Sequence, residues 1–217
     1  MHKLADMSLP EIIQTGWDVG SEIDLEGIGH GRIHWGNHKD VKETPGNHYY
    51  FLAGLVKAFG FKRILEIGTH CGGSTRAMRE GFADQDSSRI VTMDITRESN
   101  KYLKKLPNIV KIVGDSNKPK LVQKVFKELE GQSIDFLLVD ADHKFISALS
   151  NYAIYSGMLR PKLVCLDDVT LNDEMKQVWT HVKAMVPEGD AMNSVDLIPD
   201  IRPGNPGFGC VVLRNNL

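Results

Sequence analysis

The chain has 217 residues, 41% hydrophobic and 25% charged, which suits one soluble domain with a sizeable core. A formal net charge of -2, with no long Lys/Arg run, gives no electrostatic case for a nucleic-acid or membrane partner. Cys71, Cys165 and Cys210 are the three cysteines; their number and spacing argue against a disulfide framework or zinc knuckle and suit reduced thiols in a cytoplasmic protein.

Residues 1–20 lack the apolar core of a signal peptide, and no stretch reaches the roughly 20 apolar residues of a membrane span. Leu9-Pro10-Glu11 starts a short helix, because proline suits a first turn. Residues 21–47 are rich in Gly, His and charge without a period, and read as loop. His30, His34 and His38 recur every four residues, but Gly31 and Gly36 oppose the helix that would stack them. A surface loop, a segment near a substrate mouth and a metal site are the three readings of that stretch. Phe51, Leu52, Leu55, Val56 and Phe59 have helical spacing from His48 to Phe59, and Gly60 closes that helix.

From there strands and helices alternate. Strands are expected at Arg63–Ile67, Ile90–Asp94, Ile109–Val113, Ile134–Asp140 and Leu163–Leu166. Helices are expected at Ser74–Phe82, Glu98–Lys104, Pro119–Glu130, Phe145–Leu159 and Asn172–Met185. Phe136-Leu137-Leu138-Val139 is apolar throughout, as in a central parallel strand covered on both faces. Val195–Ile198 and Phe208–Leu213, separated by prolines and glycines, would form a closing antiparallel pair. The expected fold is α/β, Rossmann-like and doubly wound: a mostly parallel seven-stranded sheet with an antiparallel last strand pair. Residues 1–47 form an N-terminal helix and loop extension, and 48–217 the main unit of a single domain.

Each of the five strands runs into an acid: Glu66, Asp94, Asp115, Asp140 with Asp142, and Asp167 with Asp168. Ligands of open α/β sheets bind beyond the carboxyl ends of the strands. Acids gathered there repel one another unless something cationic or hydroxyl-rich lies between them. Capping of the following helices explains one or two of these acids. The turn Gly68-Thr69-His70-Cys71-Gly72-Gly73 places His70 where the second glycine of a dinucleotide fingerprint belongs, and a side chain there obstructs a pyrophosphate. A ligand without phosphates, such as S-adenosylmethionine (SAM), needs acceptors for ribose hydroxyls, a role open to Asp94.

Glu66-Ile67-Gly68-Thr69-His70-Cys71-Gly72-Gly73-Ser74 resembles the first motif of class I SAM-dependent methyltransferases, especially the metal-dependent catechol and caffeoyl-CoA type of O-methyltransferase. Val113-Gly114-Asp115-Ser116-Asn117, Leu138-Val139-Asp140-Ala141-Asp142-His143 and Cys165-Leu166-Asp167-Asp168 resemble that group's adenine-side turn and two metal motifs. The likeness spans residues 46–214. It implies that Glu66, Gly68, Thr69, His70, Gly72 and Ser74 form the methionine side of a SAM site, with Ser74 on the cofactor carboxylate. It further implies Asp94 on the ribose, Asp115 and Ser116 beside the adenine, and Asp140 bordering the cofactor. Asp140, Asp167 and Asp168 would hold Mg²⁺ or another divalent cation, whose hard-oxygen preference suits three carboxylates. The pair Asp167-Asp168 departs from the Asp-Asn of catechol enzymes and is more similar to sugar and antibiotic O-methyltransferases. His143 stands where that group has a histidine base, and Lys144 is the fallback.

The expected activity is methyl transfer from SAM to a hydroxyl of a small molecule, with metal lowering the hydroxyl's pKa. A metal-independent transferase and a non-catalytic SAM-binding module are the alternatives, and a homodimer is left open.

Overall fold

The computed structural model describes residues 2–29, 46–97, 100–202, 204 and 206–217. The histidines at 30, 34 and 38, and residues 98–99 of the expected fourth helix, lie outside the described residues. The elements follow in the order α1 (Leu9–Gly20), α2 (Asn47–Phe59), β1 (Arg63–Ile67), α3 (Gly73–Glu80), β2 (Arg89–Asp94), α4 (Asn100–Leu103) and β3 (Ile109–Val113). They continue with α5 (Pro119–Glu128), β4 (Phe136–Val139), α6 (Phe145–Leu159), β5 (Leu163–Asp167), α7 (Asp173–Ala184), β6 (Ala191–Asn193) and β7 (Phe208–Val212).

The seven strands form one sheet in the order β3-β2-β1-β4-β5-β7-β6. Pairs from β3 to β5 are parallel, while β7 runs antiparallel to both β5 and β6. The chain steps outward from β1 to β2 and β3 on one side, then returns to place β4 on the other. That reversal leaves a crevice over the carboxyl ends of β1 and β4.

Alternation along the strands divides the core in two. Phe136 and Leu138 of β4 face one apolar layer, packed under α1, α2 and α3. Leu137 and Val139 face the other, under α5, α6 and α7. All four are buried, as their unbroken apolar run predicts. The N-terminal helix belongs to this core. Its start is fixed by Glu11, whose carboxylate accepts from the Ser8 N–H at 2.7 Å and the Ser8 hydroxyl at 2.6 Å. It lies so close to α2 that a Cβ on Gly54 would meet the Gly16 carbonyl oxygen at 1.9 Å. Among the described residues no helix is long and apolar enough to cross a membrane.

One expected strand is absent. Ser194–Asp196 and Pro199–Ile201 are 3-10 turns, and the strand lies just before them at Ala191–Asn193. The apolar residues Val195, Ile198 and Ile201 are buried, but by turn packing rather than by strand pairing. The Ser194 hydroxyl donates to the Phe208 carbonyl at 2.8 Å, and the Phe208 N–H donates to Asn193 Oδ1 at 2.9 Å. These side-chain bonds replace the ladder that a longer strand would make.

Candidate active site

Glu66, one residue before the end of β1, lies inside the core with no exposed surface. Its carboxylate accepts hydrogen bonds from the hydroxyls of Ser74 and Thr75 at the start of α3, and from Thr92 on β2 at 2.6 Å. Thr69 extends this set through a hydroxyl contact of 2.7 Å to Thr92. Burial raises the Glu66 pKa to about 7 despite those three donors. Glu66 therefore knits β1, β2 and α3 together beneath the turn. Ser74 gives its proton to Glu66, so the donors it offers to a ligand carboxylate are backbone N–H groups of the first turn of α3.

Above this network the turn is shaped by close contact. A Cβ on Gly68, whose φ is +103°, would meet the Asp140 carbonyl oxygen at 1.5 Å. Only glycine lets β1 leave the sheet this close to β4. His70 follows with a φ of 43°. Its N–H donates to Asp94 Oδ2 at 2.7 Å, and Asp94 Oδ1 accepts from the Thr96 N–H at 2.8 Å. Asp94 thus fixes the glycine turn while bordering the cavity with its remaining acceptor capacity. Asp115 Oδ1 accepts from the Asn117 N–H at 2.9 Å, and the Tyr155 hydroxyl donates to the Ser116 carbonyl at 2.7 Å. The adenine-side turn expected at Gly114–Asn117 is therefore pinned from its own side and from α6.

One cavity of about 1240 Å³ joins these parts. Gly68, His70, Ser74, Asp94, Asp115 and Ser116 line one part of it, and His143, Lys144, Asp140, Asp167 and Asp168 line the other. Thr69 also reaches the lining, whereas Gly72 does not. The space accommodates a nucleoside-sized ligand and a second small molecule.

The acidic half is organised by registration of β4 with β5. Val139 pairs with Leu166, so Asp140 and Asp167 emerge side by side. Burial, then the neighbouring Asp167 and Asp168 charges, push the Asp140 carboxyl well above its usual range. Burial likewise raises Asp167, to about 7. Facing acids buried this way raise one another, because both cannot ionise as easily as either would alone. Asp168 turns the chain with a φ of 57°. Of four described non-glycine residues with positive φ (His70, Glu130, Arg160 and Asp168), His70 and Asp168 line the cavity, one in each part, as strained backbone often does at functional sites.

Three residues from distant segments complete this half. Arg202 Nη2 donates to Asp167 Oδ2 at 2.9 Å and Asp168 Oδ1 at 3.0 Å, and its Nη1 stands 3.3 Å from the His48 ring. Burial opposes the Arg202 charge, but the three aspartates more than offset this and raise its pKa. Tyr49 on α2 places its hydroxyl against the start of α3, where a Cβ on Gly73 would lie 2.6 Å from it. Burial first, then Asp140, Glu66 and Asp167, drive its pKa upward, so it remains a neutral phenol. His48 and Tyr49 were not expected as site residues, and Arg202 was not expected to pair with the acids. The helical period around His48 and Tyr49 signals only core, and Arg202 lies in a proline- and glycine-rich stretch without a pattern.

His143 faces the acids, with Nε2 3.3 Å from Asp168 Oδ2. Lys144 turns away: its Nζ bonds Glu174 Oε1 at 3.1 Å, while the Phe145 N–H donates to Glu174 Oε2 at 2.8 Å. Glu174 thereby ties the start of α6 to α7. Among the described residues, no group of three or more His, Cys, Asp and Glu side chains has the arrangement of a metal site. As they stand the three acids offer a divalent ion an incomplete set, because the guanidinium takes up one oxygen of Asp167 and one of Asp168, leaving Asp167 Oδ1 as a buried oxygen without a hydrogen-bond partner among the described residues.

Residues 65–169 match a family model described as a methyltransferase domain. No curated protein sequence matches the chain. Its fold is shared with the tomaymycin-synthesis O-methyltransferase TomG of Streptomyces achromogenes, solved with SAM, at 18% identity and a TM-score of 0.56 over 75% of this chain and 77% of that one. It is shared likewise with a Podospora anserina methyltransferase bound to S-adenosylhomocysteine (SAH), at 17% identity and a TM-score of 0.58 over 95% of this chain and 89% of that one. A Bacillus cereus O-methyltransferase in complex with SAH has 19% identity and a TM-score of 0.56, covering 97% of this chain and 95% of its own.

Proposed function

We propose that the methyltransferase domain at residues 65–169 transfers the methyl group of SAM to a hydroxyl of a small molecule. The observation that carries this reading is the single cavity uniting the Gly68–Ser74 turn and Asp94 with His143. A cofactor site alone would not need the second half. Bound SAM supplies an electrophilic methyl group, and the chain's residues do the rest. Asp94 accepts from the ribose diol. Backbone N–H groups at the start of α3 face the amino-acid carboxylate. The Gly114–Asn117 turn borders the adenine.

His143 borders the cavity, its Nε2 3.3 Å from Asp168 Oδ2 without a hydrogen bond to it, and is the group that takes the acceptor's proton. The acceptor oxygen then bonds the methyl carbon as the carbon–sulfur bond breaks, leaving SAH and a protonated imidazole. Holding the two reactants in line is worth on the order of 7–11 kcal/mol at best. Lys144 supports this as a loop anchor rather than a base, since its ammonium is paired outside the acid cluster. The Mg²⁺ implied by the resemblance enters no step here, because Arg202 already holds one oxygen each of Asp167 and Asp168.

The test is a labelled-SAM assay over vicinal diols, catechols, sugars and natural-product phenols, with added Mg²⁺ or with chelator. Label should appear in at least one class. His143→Gln should lower turnover about 100-fold or more while SAH affinity is unchanged. An equal loss in SAH affinity would remove the base assignment.

A further inference from the structure

The acids at the ends of β4 and β5 need a counter-charge, and the chain brings its own. Arg202 does not reach them from a loose arm. The turn before it, Pro199–Ile201, is anchored by the fully buried Ile201. The Asp200 carbonyl accepts from Asn47 Nδ2 at 2.8 Å, which fastens that turn to the start of α2. The His48 ring backs the far side of the guanidinium. The arginine side chain is only 21% exposed, against 3% and 12% for its two acid partners. A pair removed from water to this extent gains more from the charge-assisted bonds than a surface pair does.

The contact geometry bears on what else can bind. One Nη2 atom bridges an oxygen from each of Asp167 and Asp168. That is the bridging role a divalent ion would take between the same two carboxylates. Ion and guanidinium cannot share it, since both would lie within bonding distance of the same oxygens and carry like charge.

We propose that Arg202 is the permanent cation of this site, standing between Asp167 and Asp168 in place of a divalent metal, so that the wild-type chain takes up no such ion there. Its meaning for catalysis rests on the methyltransferase reading above. An acceptor oxygen losing its proton to His143 would meet the charge of a fixed guanidinium at the cavity floor, with Asp167 and Asp168 serving to hold that guanidinium.

The experiment is Mn²⁺ titration of chelator-treated protein followed by electron paramagnetic resonance, with SAH binding measured calorimetrically on the same samples. Wild type should bind SAH and show no saturable Mn²⁺ uptake, with or without SAH. Arg202→Ala, and Arg202→Met as a bulkier replacement, should gain one Mn²⁺ per chain. Adding Asp168→Asn to either should weaken that gained site about tenfold or more. Uptake of one Mn²⁺ per wild-type chain, abolished by Asp167→Asn, would overturn the proposal. So would Arg202 variants that bind SAH normally yet gain no Mn²⁺. The wild-type arm needs no variant, so misfolding of a mutant does not shield the proposal from refutation. If wild type fails to bind SAH, the methyltransferase reading falls, while the Mn²⁺ result still judges Arg202.

Discussion

Glu66 offers a measurement in which the folded protein reports its own electrostatics. The carboxyl is buried with no exposed surface and titrates near pH 7 rather than at 4.5. A raised acid binds its proton more tightly when folded, so its contribution to stability is intact below pH 4.5 and falls as pH climbs toward 7. At about 1.4 kcal/mol per pH unit, moving from 4.5 to about 7 removes about 3 kcal/mol. Glu66→Gln keeps the shape and cannot ionise. The hydroxyls of Ser74, Thr75 and Thr92 can rotate to meet an amide. Urea unfolding of both proteins from pH 4.5 to 8.5 should therefore show the stability difference moving by about 3 kcal/mol in the variant's favour as pH rises. Asp167 is also raised, but it is present in both proteins and cancels. Parallel curves for wild type and variant would refute the reasoning, because they would mean that Glu66 ionises as easily folded as unfolded.

Three further changes test separate parts of the site. Gly68→Ala places a Cβ 1.5 Å from the Asp140 carbonyl oxygen in a left-handed backbone; it should cost about 3 kcal/mol of stability and abolish SAH binding, as read by denaturation and calorimetry. Asp94→Asn loses a carboxylate that accepts from His70 and Thr96, and SAH affinity should fall about tenfold or more, or about 1.4 kcal/mol. Lys144→Met removes only an exposed pair with Glu174, so stability should change by less than about 1 kcal/mol, and methyl transfer should stay within about twofold of wild type in the labelled-SAM assay.

The parts that were legible in the sequence are those where one physical pattern dominates. Phe136-Leu137-Leu138-Val139 reads as a central strand because burial on both faces leaves no room for a polar residue. Phe145–Leu159 matches its expected bounds, since it fills the span between two apolar strands. Asp140 and Asp167 meet because sheet registration carries them together. Val195–Ile198 misled because apolar content reports burial and does not say whether a strand or a turn is buried. The pairing of Arg202 with the acids was invisible for a different reason. The role of this arginine depends on a contact 35 residues from Asp167, and nothing local distinguishes it from a solvated arginine. The expectation that clustered acids need a cationic partner was sound physically, but the sequence could not say that the cation was a side chain.

The reversed last strand has a consequence for how such a site can change. Because β7 runs against β5, the connection leading into it returns to the carboxyl edge and delivers Arg202 from outside the matched 65–169 stretch. Under the proposed function, the turns that would surround the cofactor and the segment that would set the charge of the acceptor side are thus separable parts of one molecule. Exchanging the connection between β6 and β7 would alter which acceptor is held, while the turn at Gly68 and the network beneath it stay as they are. On that reading, a change of substrate would arise at the tail of the chain while the proposed cofactor half keeps its shape.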